Sequence, residues 1–419
     1  MTTRKEPVRA HVLIIVQNLP VPFDRRVWLE CQALRSAGYE VSVVCPKAPG
    51  DPTIEVVDGV TLYKYPPYQP GGGGVGFLVE YVYSFAATAW LTAKVWRRGR
   101  FRVLQACNPP DIFWPLGILF RIAGGSRFVF DHHDLCPELY ESRFPAGARV
   151  PYWGLRTLEW CTFQSASHVI STNESYRQIA LQRGRKRADQ VTVVRTGPDA
   201  DKLRREAPEP QLRQGRRFLV AYLGVMGPQD GVDIVVRVAA KIVKDWGRQD
   251  VSFTLIGAGD CFDDLVELRD ELGLQDEVEF TGRASDDLVR RVLSTADVGL
   301  SPDPKNPLND LSTMNKTMEY MAFGLPTVAF DLRETRVSAG DAALYASPNS
   351  VEDFAEVLVR LLDDEPLRHS MGKIARERIE SELAWQHQRA SYLGVYERLL
   401  GAGPSAPETN ARLSGSAGD

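Results

Sequence analysis

The segment VLIIVQNLPVPFDRRVWLECQALRSAGYEVSVVC, residues 12–45, has the pattern of a strand, a helix and a second strand. Its first six residues form a short apolar run, which is typical of a buried parallel strand. Residues 23–37 carry Val27, Cys31 and Leu34 at helical spacing, and Gly38 follows as a natural C-terminal glycine. VSVVC, residues 41–45, is the second apolar run. A strand–helix–strand unit of this length predicts an α/β fold with a parallel sheet covered by helices.

The same pattern continues along the chain and then restarts after a polar connector, residues 202–217. Strands are predicted at residues 103–106, 128–131, 168–171, 191–194, 218–224, 251–257, 278–282, 298–301 and 327–331. This order predicts two Rossmann-like domains in tandem, residues 1–205 and 206–385, that face each other across a cleft. The ligand site is then expected outside the carboxyl ends of the strands.

The end of the chain has two further parts. Residues 386–400 continue a helical stretch with Tyr392 and Tyr396, and we expect this helix to cross back onto the first domain. Residues 401–419 are rich in Gly, Ser, Ala and Pro, which predicts a disordered tail.

Charge, cysteine content and hydropathy indicate which partners and which cellular compartment to expect. A net charge of −4 gives no reason to expect a nucleic acid. The six cysteines contain no C-x-x-C pair, which favours reduced thiols in a cytoplasmic protein. Residues 75–96 are largely apolar and end in a basic cluster, but Glu80 favours an amphipathic or buried helix over a membrane span. A peripheral contact with the inner membrane face is the alternative.

The stretch NDLSTMNKTMEYMAFGLPTVAFD, residues 309–331, carries the clearest chemistry. A helix is predicted to begin near Asn315, which can cap it, and to end by Gly324. Lys316 falls in the first turn, where the helix dipole disfavours a cation unless an anion such as a diphosphate binds there as well. Glu319 lies on the same face and could accept hydrogen bonds from ribose hydroxyls. The alternative is a solvated Lys–Glu pair on a surface helix.

These residues resemble the donor site of the GT4 family of glycosyltransferases, which have the GT-B fold. The family pattern E-x7-E followed by A-M-A-x-G-x-P-V matches here from Glu319 to Val328, while Leu311 stands at the first glutamate. Residues 18–46 with D-R-R-V-W, DHHDLCPELY (131–140), STNESYR (171–177) and VVRTGPD (193–199) also resemble a bacterial GT4 subgroup, so the resemblance covers residues 12–400. The family's loop arginine and lysine are replaced by Val225 and Asp230.

The resemblance implies roles for residues on both sides of the cleft. On the donor side, Gly227 and Gly231 lie in a glycine-rich turn apt for phosphate, and Arg283 or Arg25 could supply charge that the loop lacks. His133 is expected to face the reacting sugar, with Asp134 beside it to fix the tautomer. The structural alternatives are a buried histidine and, for the 132–134 cluster, a metal site. The residues expected on the acceptor side are Arg25, Arg26, Asn108, Asp134 and Glu138.

The implied function is transfer of a sugar from a nucleotide-diphosphate sugar, with retention, to a hydroxyl of a sugar or lipid-linked acceptor. Lys316, Glu319 and His133 are the residues expected to act in the reaction, and no metal or other cofactor is expected. A sugar-nucleotide 2-epimerase and a non-catalytic sugar-nucleotide-binding scaffold remain as alternatives.

Overall fold

The computed structural model describes residues 9–68, 73–144 and 149–401, and over these residues the chain forms two α/β lobes. Within them, the N-terminal lobe contains an eight-stranded sheet of β1 (His11–Ile15), β2 (Glu40–Pro46), β3 (Ile54–Val57), β4 (Val60–Tyr65), β5 (Val103–Cys107), β6 (Arg127–His132), β7 (His168–Ser171) and β8 (Val191–Val193). The C-terminal lobe contains a six-stranded sheet of β9 (Phe218–Leu223), β10 (Val251–Ile256), β11 (Val278–Gly282), β12 (Val298–Ser301), β13 (Thr327–Phe330) and β14 (Ala343–Ala346).

Helices lie between most of the successive strands. They are α1 (Arg25–Ser36), α2 (Gly73–Arg98), α3 (Trp114–Gly124), α4 (Cys136–Arg143), α5 (Arg149–Ser165), α6 (Glu174–Gln182), α7 (Val232–Ala240), α8 (Phe262–Glu271), α9 (Asp286–Thr295), α10 (Asn315–Ala322), α11 (Arg333–Ala339), α12 (Val351–Asp363), α13 (Glu365–Arg378) and α14 (Trp385–Leu400). The strand orders are β3-β4-β2-β1-β5-β6-β7-β8 and β11-β10-β9-β12-β13-β14. The α/β fold with two parallel-sheet domains is thus confirmed.

The edge of the first sheet was not predicted. β3 pairs with β4 in an antiparallel hairpin, the exception to the parallel pairing among the described strands. Asp58 and Gly59 both have positive φ, of 46° and 80°, which is the geometry of a tight two-residue hairpin turn. The Asp-Gly pair is a sequence signal for this turn, so the hairpin was detectable. β14 was also missed, because ALYA is too short to stand out as an apolar run.

Alternating side chains of β1 anchor two core layers. Val12 and Ile14 pack with residues of α1 and α14, whereas Leu13 and Ile15 pack with residues of α2, α3 and α5. Tyr392 of α14 is fully buried in the first layer, and its hydroxyl donates to Oε1 of Gln105 at 2.9 Å. The last helix therefore contributes to the core of the N-terminal lobe, while the predicted tail beyond Gly401 lies outside the described residues.

The long helix α2 lies on the first sheet and buries Leu91 and Val95. Among the described residues, no helix combines the length and apolar character that crossing a bilayer requires. The six cysteines are free, and four of them are buried.

Candidate active site

Loops at the carboxyl ends of both sheets meet across the cleft. On the C-terminal side, Lys316 is the second residue of α10, and its Nζ lies 2.5 Å from Oδ1 of Asp303 and 3.9 Å from Oδ1 of Asp230. The ammonium also lies 5.2 Å from the ring centroid of Tyr222. We call Lys316, Asp303 and Asp230 the Lys316 corner. The lysine is only 9% exposed, so the alternative of a solvated surface pair with Glu319 is wrong.

The charges of the Lys316 corner follow from burial and mutual contact. Burial lowers the pKa of Lys316, but Asp303 and Asp230 outweigh that effect, and the net pKa is raised. Burial raises the pKa of Asp230 to about 6, against the opposing effect of Lys316. The lysine is therefore cationic at neutral pH, next to two carboxyl groups.

The N-terminus of α10 is open. Its N-cap is Met314, which has extended backbone and offers no side-chain hydrogen bond. The prediction that Asn315 caps the helix is therefore wrong, because Asn315 is already the first helical residue. An uncapped helix N-terminus presents free N–H groups that can bind an anion.

The glycine loop, residues 224–231, lies directly against Lys316. A Cβ placed on Gly224 would be 3.1 Å from Cε of the lysine. Gly231 has a φ of 65°, and a Cβ there would lie 2.3 Å from the carbonyl oxygen of Pro302, so this position requires glycine. The amide of Gly227 donates to Oδ2 of Asp230 at 2.9 Å, so the Asp230 side chain bonds back to the backbone of its own loop.

Glu319 lies at the cleft surface and pairs with the opposite lobe. Nη1 of Arg25 lies 3.0 Å from its Oε1, and Nη2 of Arg25 lies 2.7 Å from Oδ1 of Asp286. Burial raises the pKa of Glu319, and Arg25 opposes the shift. Arg283 instead stacks on Phe23 of the N-terminal lobe, with its guanidinium 4.3 Å from the ring centroid.

His133 lies after β6 and is held by buried charges. Its Nε2 lies 2.8 Å from Oδ2 of Asp131 and 2.9 Å from Nε of Arg26. The carboxylate that faces the ring is thus Asp131. The sequence had suggested Asp134 for this position. Residues two apart on an extended chain point to the same side, which places Asp131 beside His133.

The network behind His133 is almost completely buried. Nη2 of Arg26 donates to Asp131 at 3.0 Å, and Nε of Arg26 lies 3.1 Å from Glu30. Burial opposes the charge on Asp131, but Arg26 and His133 hold its pKa well below the usual range. Burial and the neighbouring Asp131 raise the pKa of Glu30 well above its usual value. Arg26 is therefore a buried counter-ion in this lobe.

Metal binding near His133 meets a physical obstacle. Cys107, Asp131 and His133 bring ligand atoms within 4.8 Å of one another. Arg26 donates to two of these residues, so a metal ion there would face the guanidinium. Among the described residues, the group whose ligand atoms converge does not include His132 or Asp134. His132 packs against the ring of Phe130, and burial lowers its pKa to about 3.

The other predicted acceptor-side residues mainly support the loop. Oδ1 of Asn108 accepts from the amides of His133 at 2.6 Å and of Asp134 at 3.1 Å, and its Nδ2 donates to the carbonyl of Asp134 at 2.7 Å. Glu138 is buried and pairs with Arg183. Asn108 therefore positions the His133 loop, whereas Arg25 and Asp134 remain partly open to the cleft.

Comparison with known proteins shows which families the two lobes match. Residues 24–197 match the glycosyl transferase 4-like domain family, and residues 217–364 match the glycosyl transferases group 1 family. A phosphatidyl-myo-inositol mannosyltransferase of Mycolicibacterium smegmatis is 30% identical over 397 residues, which cover 92% of each chain. The chain belongs to the GT4 family of glycosyltransferases.

Two further comparisons place this GT4 chain among its relatives. A 2-deoxystreptamine glucosyltransferase of Streptomyces kanamyceticus is 26% identical over 252 residues, and the match spans 58% of this chain and 63% of that relative. The Anabaena protein HepE, solved in complex with UDP-glucose, superposes with a TM-score of 0.68 at 16% identity, over 93% of this chain and 100% of that one. The likeness shows the GT-B fold.

The STNESYR segment of this GT4 chain holds the two lobes together. Nδ2 of Asn173 donates to the carbonyl of Leu311 at 2.9 Å and to Oγ1 of Thr313 at 3.0 Å. Its Oδ1 accepts from the amide of Tyr176 at 2.7 Å and so caps α6. The residues that precede Lys316 are thus fixed to the opposite lobe.

We expect Asn173→Ser to raise the KM for the donor about 10-fold, because serine still caps α6 but is too short to reach Leu311. Because serine retains the cap, the capping contribution to the free energy of unfolding should change by less than about 0.5 kcal/mol. Any larger loss of stability then reports the missing cross-lobe bonds. Steady-state kinetics with denaturant unfolding checks both. An unchanged donor KM would show that this contact does not position the segment before Lys316.

Asp111, which follows the Asn108 turn, is buried, and both carboxyl oxygens lack a hydrogen-bond partner. Burial raises its pKa to about 7, so folding favours the protonated form. The penalty on the folded state grows as pH rises from about 4 to 7. We expect Asp111→Asn to stabilise the protein by about 2–3 kcal/mol more at pH 8 than at pH 5. Denaturant unfolding at both pH values checks this, and an equal gain at both would contradict it.

Proposed function

We propose that this chain is a retaining glycosyltransferase that moves a hexosyl or N-acetylhexosaminyl group from a nucleotide-diphosphate sugar to an acceptor hydroxyl. The observation that carries the proposal is the buried, cationic Lys316 at an uncapped helix N-terminus beside the glycine loop. Negative charge develops on the departing diphosphate in the transition state, and a pre-positioned ammonium and helix N–H groups stabilise it there.

The remaining residues act around that charge. Glu319 holds the ribose hydroxyls once Arg25 releases it, and His133, oriented by Asp131, orients a hydroxyl at the reacting sugar. Closure of the lobes excludes water from the bond that breaks. The scheme needs no metal or other cofactor, since protein groups supply the positive charge.

The family and the relatives support a role in cell-envelope polysaccharide or other glycoconjugate biosynthesis. A nucleotide-sugar donor fits the HepE complex with UDP-glucose. A lipid-linked acceptor fits the phosphatidyl-myo-inositol mannosyltransferase, and a sugar acceptor remains equally open. We do not retain the 2-epimerase, because the matched families and relatives are transferases.

A thermal-shift screen with UDP-, GDP- and dTDP-sugars, followed by transfer assays with sugar and lipid-linked acceptors, tests the proposal. A productive donor at 100 times its Kd should stabilise the folded protein by about 2.7 kcal/mol. Transfer to a hydroxyl supports the enzyme. Binding of a nucleotide sugar without transfer to any acceptor of the panel would favour the non-catalytic scaffold. If no nucleotide binds, both the glycosyltransferase and the scaffold hypotheses are wrong.

We further propose that the protein works in the cytoplasm and docks on the inner membrane face through the outer surface of α2, α3 and α5. Among the side chains of these helices that the structure describes, eight large apolar ones are exposed: Val79, Val82, Trp90, Leu119, Ile122, Val150, Trp153 and Trp160. The same helices carry six lysines and arginines. Their two acidic residues are engaged elsewhere, since Glu80 accepts from Gln17 and Glu159 is buried against Arg183. Apolar anchors among basic residues suit an anionic bilayer.

Replacing Trp90, Trp153 and Trp160 together by Ser should weaken binding to phosphatidylglycerol-containing vesicles about 10-fold or more, because the apolar anchors are lost. Trp246→Ser is the matched control, since that tryptophan is exposed on the C-terminal lobe. Vesicle co-sedimentation at low and high salt measures the effect, with phosphatidylcholine vesicles as the neutral surface. Equal binding of the triple variant and the control would contradict this docking face.

A further inference from the structure

The Lys316 corner lacks enough positive charge for a diphosphate. One ammonium lies between two carboxyl groups, Asp303 and Asp230, so the formal charges sum to −1 when both are ionised. The glycine loop adds no cation, since residues 224–231 include no lysine or arginine. A diphosphate adds at least two negative charges, and such charges close to carboxylates repel strongly in a partly buried site.

Three arginines near the cleft are engaged with other groups. Arg25 pairs with both Glu319 and Asp286, and Arg26 is buried with Asp131 and Glu30. Arg283 stacks on the ring of Phe23. None of these contacts brings a guanidinium to the glycine loop within the described part of the chain.

Arg143 is differently placed. It is the last residue of α4 in the N-terminal lobe and reaches across the cleft, where its Nη1 lies 3.6 Å from Oδ2 of Asp260. Asp260 is 76% exposed, so this ion pair is weak. The Nε atom of Arg143 is buried without a hydrogen-bond partner, which leaves a strong donor unsatisfied.

Asp260 belongs to a turn that packs on the glycine loop. The amide of Cys261 donates to the carbonyl of Met226 at 2.9 Å, and the amide of Met226 donates to the carbonyl of Ala258 at 3.1 Å. Arg143 therefore lies at the rim of the glycine loop. Its charge also lowers the pKa of Asp230 from one side of the cleft and that of Asp134 from the other, although burial raises both.

We propose that Arg143 supplies the missing positive charge to the donor diphosphate from the opposite lobe. This inference rests on the proposed function and deepens it. Because the guanidinium belongs to the N-terminal lobe and Lys316 to the C-terminal lobe, a diphosphate bridges the two lobes and draws them together. A nucleoside monophosphate lacks the outer phosphate and does not make this bridge.

Calorimetric titration of Arg143→Gln with UDP, GDP and dTDP, each paired with its monophosphate, tests the inference. The variant should bind the preferred diphosphate about 10- to 100-fold more weakly than the wild type, which is the effect of losing one charge-assisted contact. Its affinity for the monophosphate should be unchanged. Arg187→Gln is the matched control, because Arg187 is exposed in the same lobe and pairs with Asp189. Wild-type affinity of Arg143→Gln for the diphosphate would overturn the inference.

A second variant separates lost charge from damaged folding. Arg143→Gln combined with Val225→Arg returns a cation from within the C-terminal lobe. The double variant should therefore bind the diphosphate at least 5-fold more tightly than Arg143→Gln alone. No recovery would show that the charge on Arg143 was not the cause and would overturn the inference. If Lys316→Met also leaves diphosphate affinity unchanged, the nucleotide does not bind at this corner, and the proposed function fails with it.

Discussion

Replacing Lys316 by Ala is expected to lower kcat about 100- to 1000-fold, the effect of removing one pre-positioned group from a charge-stabilising site. The lysine meets the developing charge of the leaving group, so the loss should fall mainly on turnover. The same change leaves Asp303, which is buried, without its cation. Breaking a buried pair in this way costs about 3–5 kcal/mol of stability.

The two effects of Lys316→Ala can be separated with a compensating variant. Lys316→Met combined with Asp303→Asn removes both members of the pair and should recover most of the lost stability without recovering turnover. Lys373→Ala is the control, because Lys373 is exposed on the same lobe and pairs only weakly with Glu377. Initial-rate kinetics and denaturant unfolding give the two quantities. Near-normal turnover in the folded double variant would exclude Lys316 from the chemistry.

Arg26→Met is expected to lower the stability of the N-terminal lobe by a similar amount, about 3–5 kcal/mol. Arg26 is the cation between Asp131 and Glu30, and both acids are fully buried. Without it, Asp131 must remain as an unpaired buried charge or take up a proton. Turnover should fall as well, since Asp131 and Arg26 together hold the ring of His133.

The adjacent arginine is a matched control for this prediction. Arg25 is about half exposed, with a side-chain exposure of 52%, and its ion pairs cross the cleft. Arg25→Met should change the free energy of unfolding by less than about 1 kcal/mol. Guanidinium unfolding of both variants measures the difference. Equal losses at positions 25 and 26 would mean that burial does not govern the energetics of this network.

Two errors in the sequence interpretation are local, and both concern backbone geometry that residue type does not show. The hydrogen-bonding partner of His133 was assigned to the adjacent Asp134, whereas strand geometry and Arg26 bring Asp131 to the ring. Asn315 has the residue type of a cap, but the chain enters the helix one residue earlier, at Met314. Residue type alone does not reveal which peptide unit first adopts helical geometry.

The amino-acid sequence alone was sufficient to establish the alternation of strands and helices, the restart after the connector and the cation at the start of α10. Periodicity, glycine placement and helix charge are local properties, so they can be seen without the fold. The partners of Lys316 could not be seen: Asp303 and Asp230 come from two separate loops, and Arg143 comes from the other lobe. Only the packing of loops at the carboxyl edges of two sheets brings these charges together, because no spacing in the chain specifies which distant loops meet.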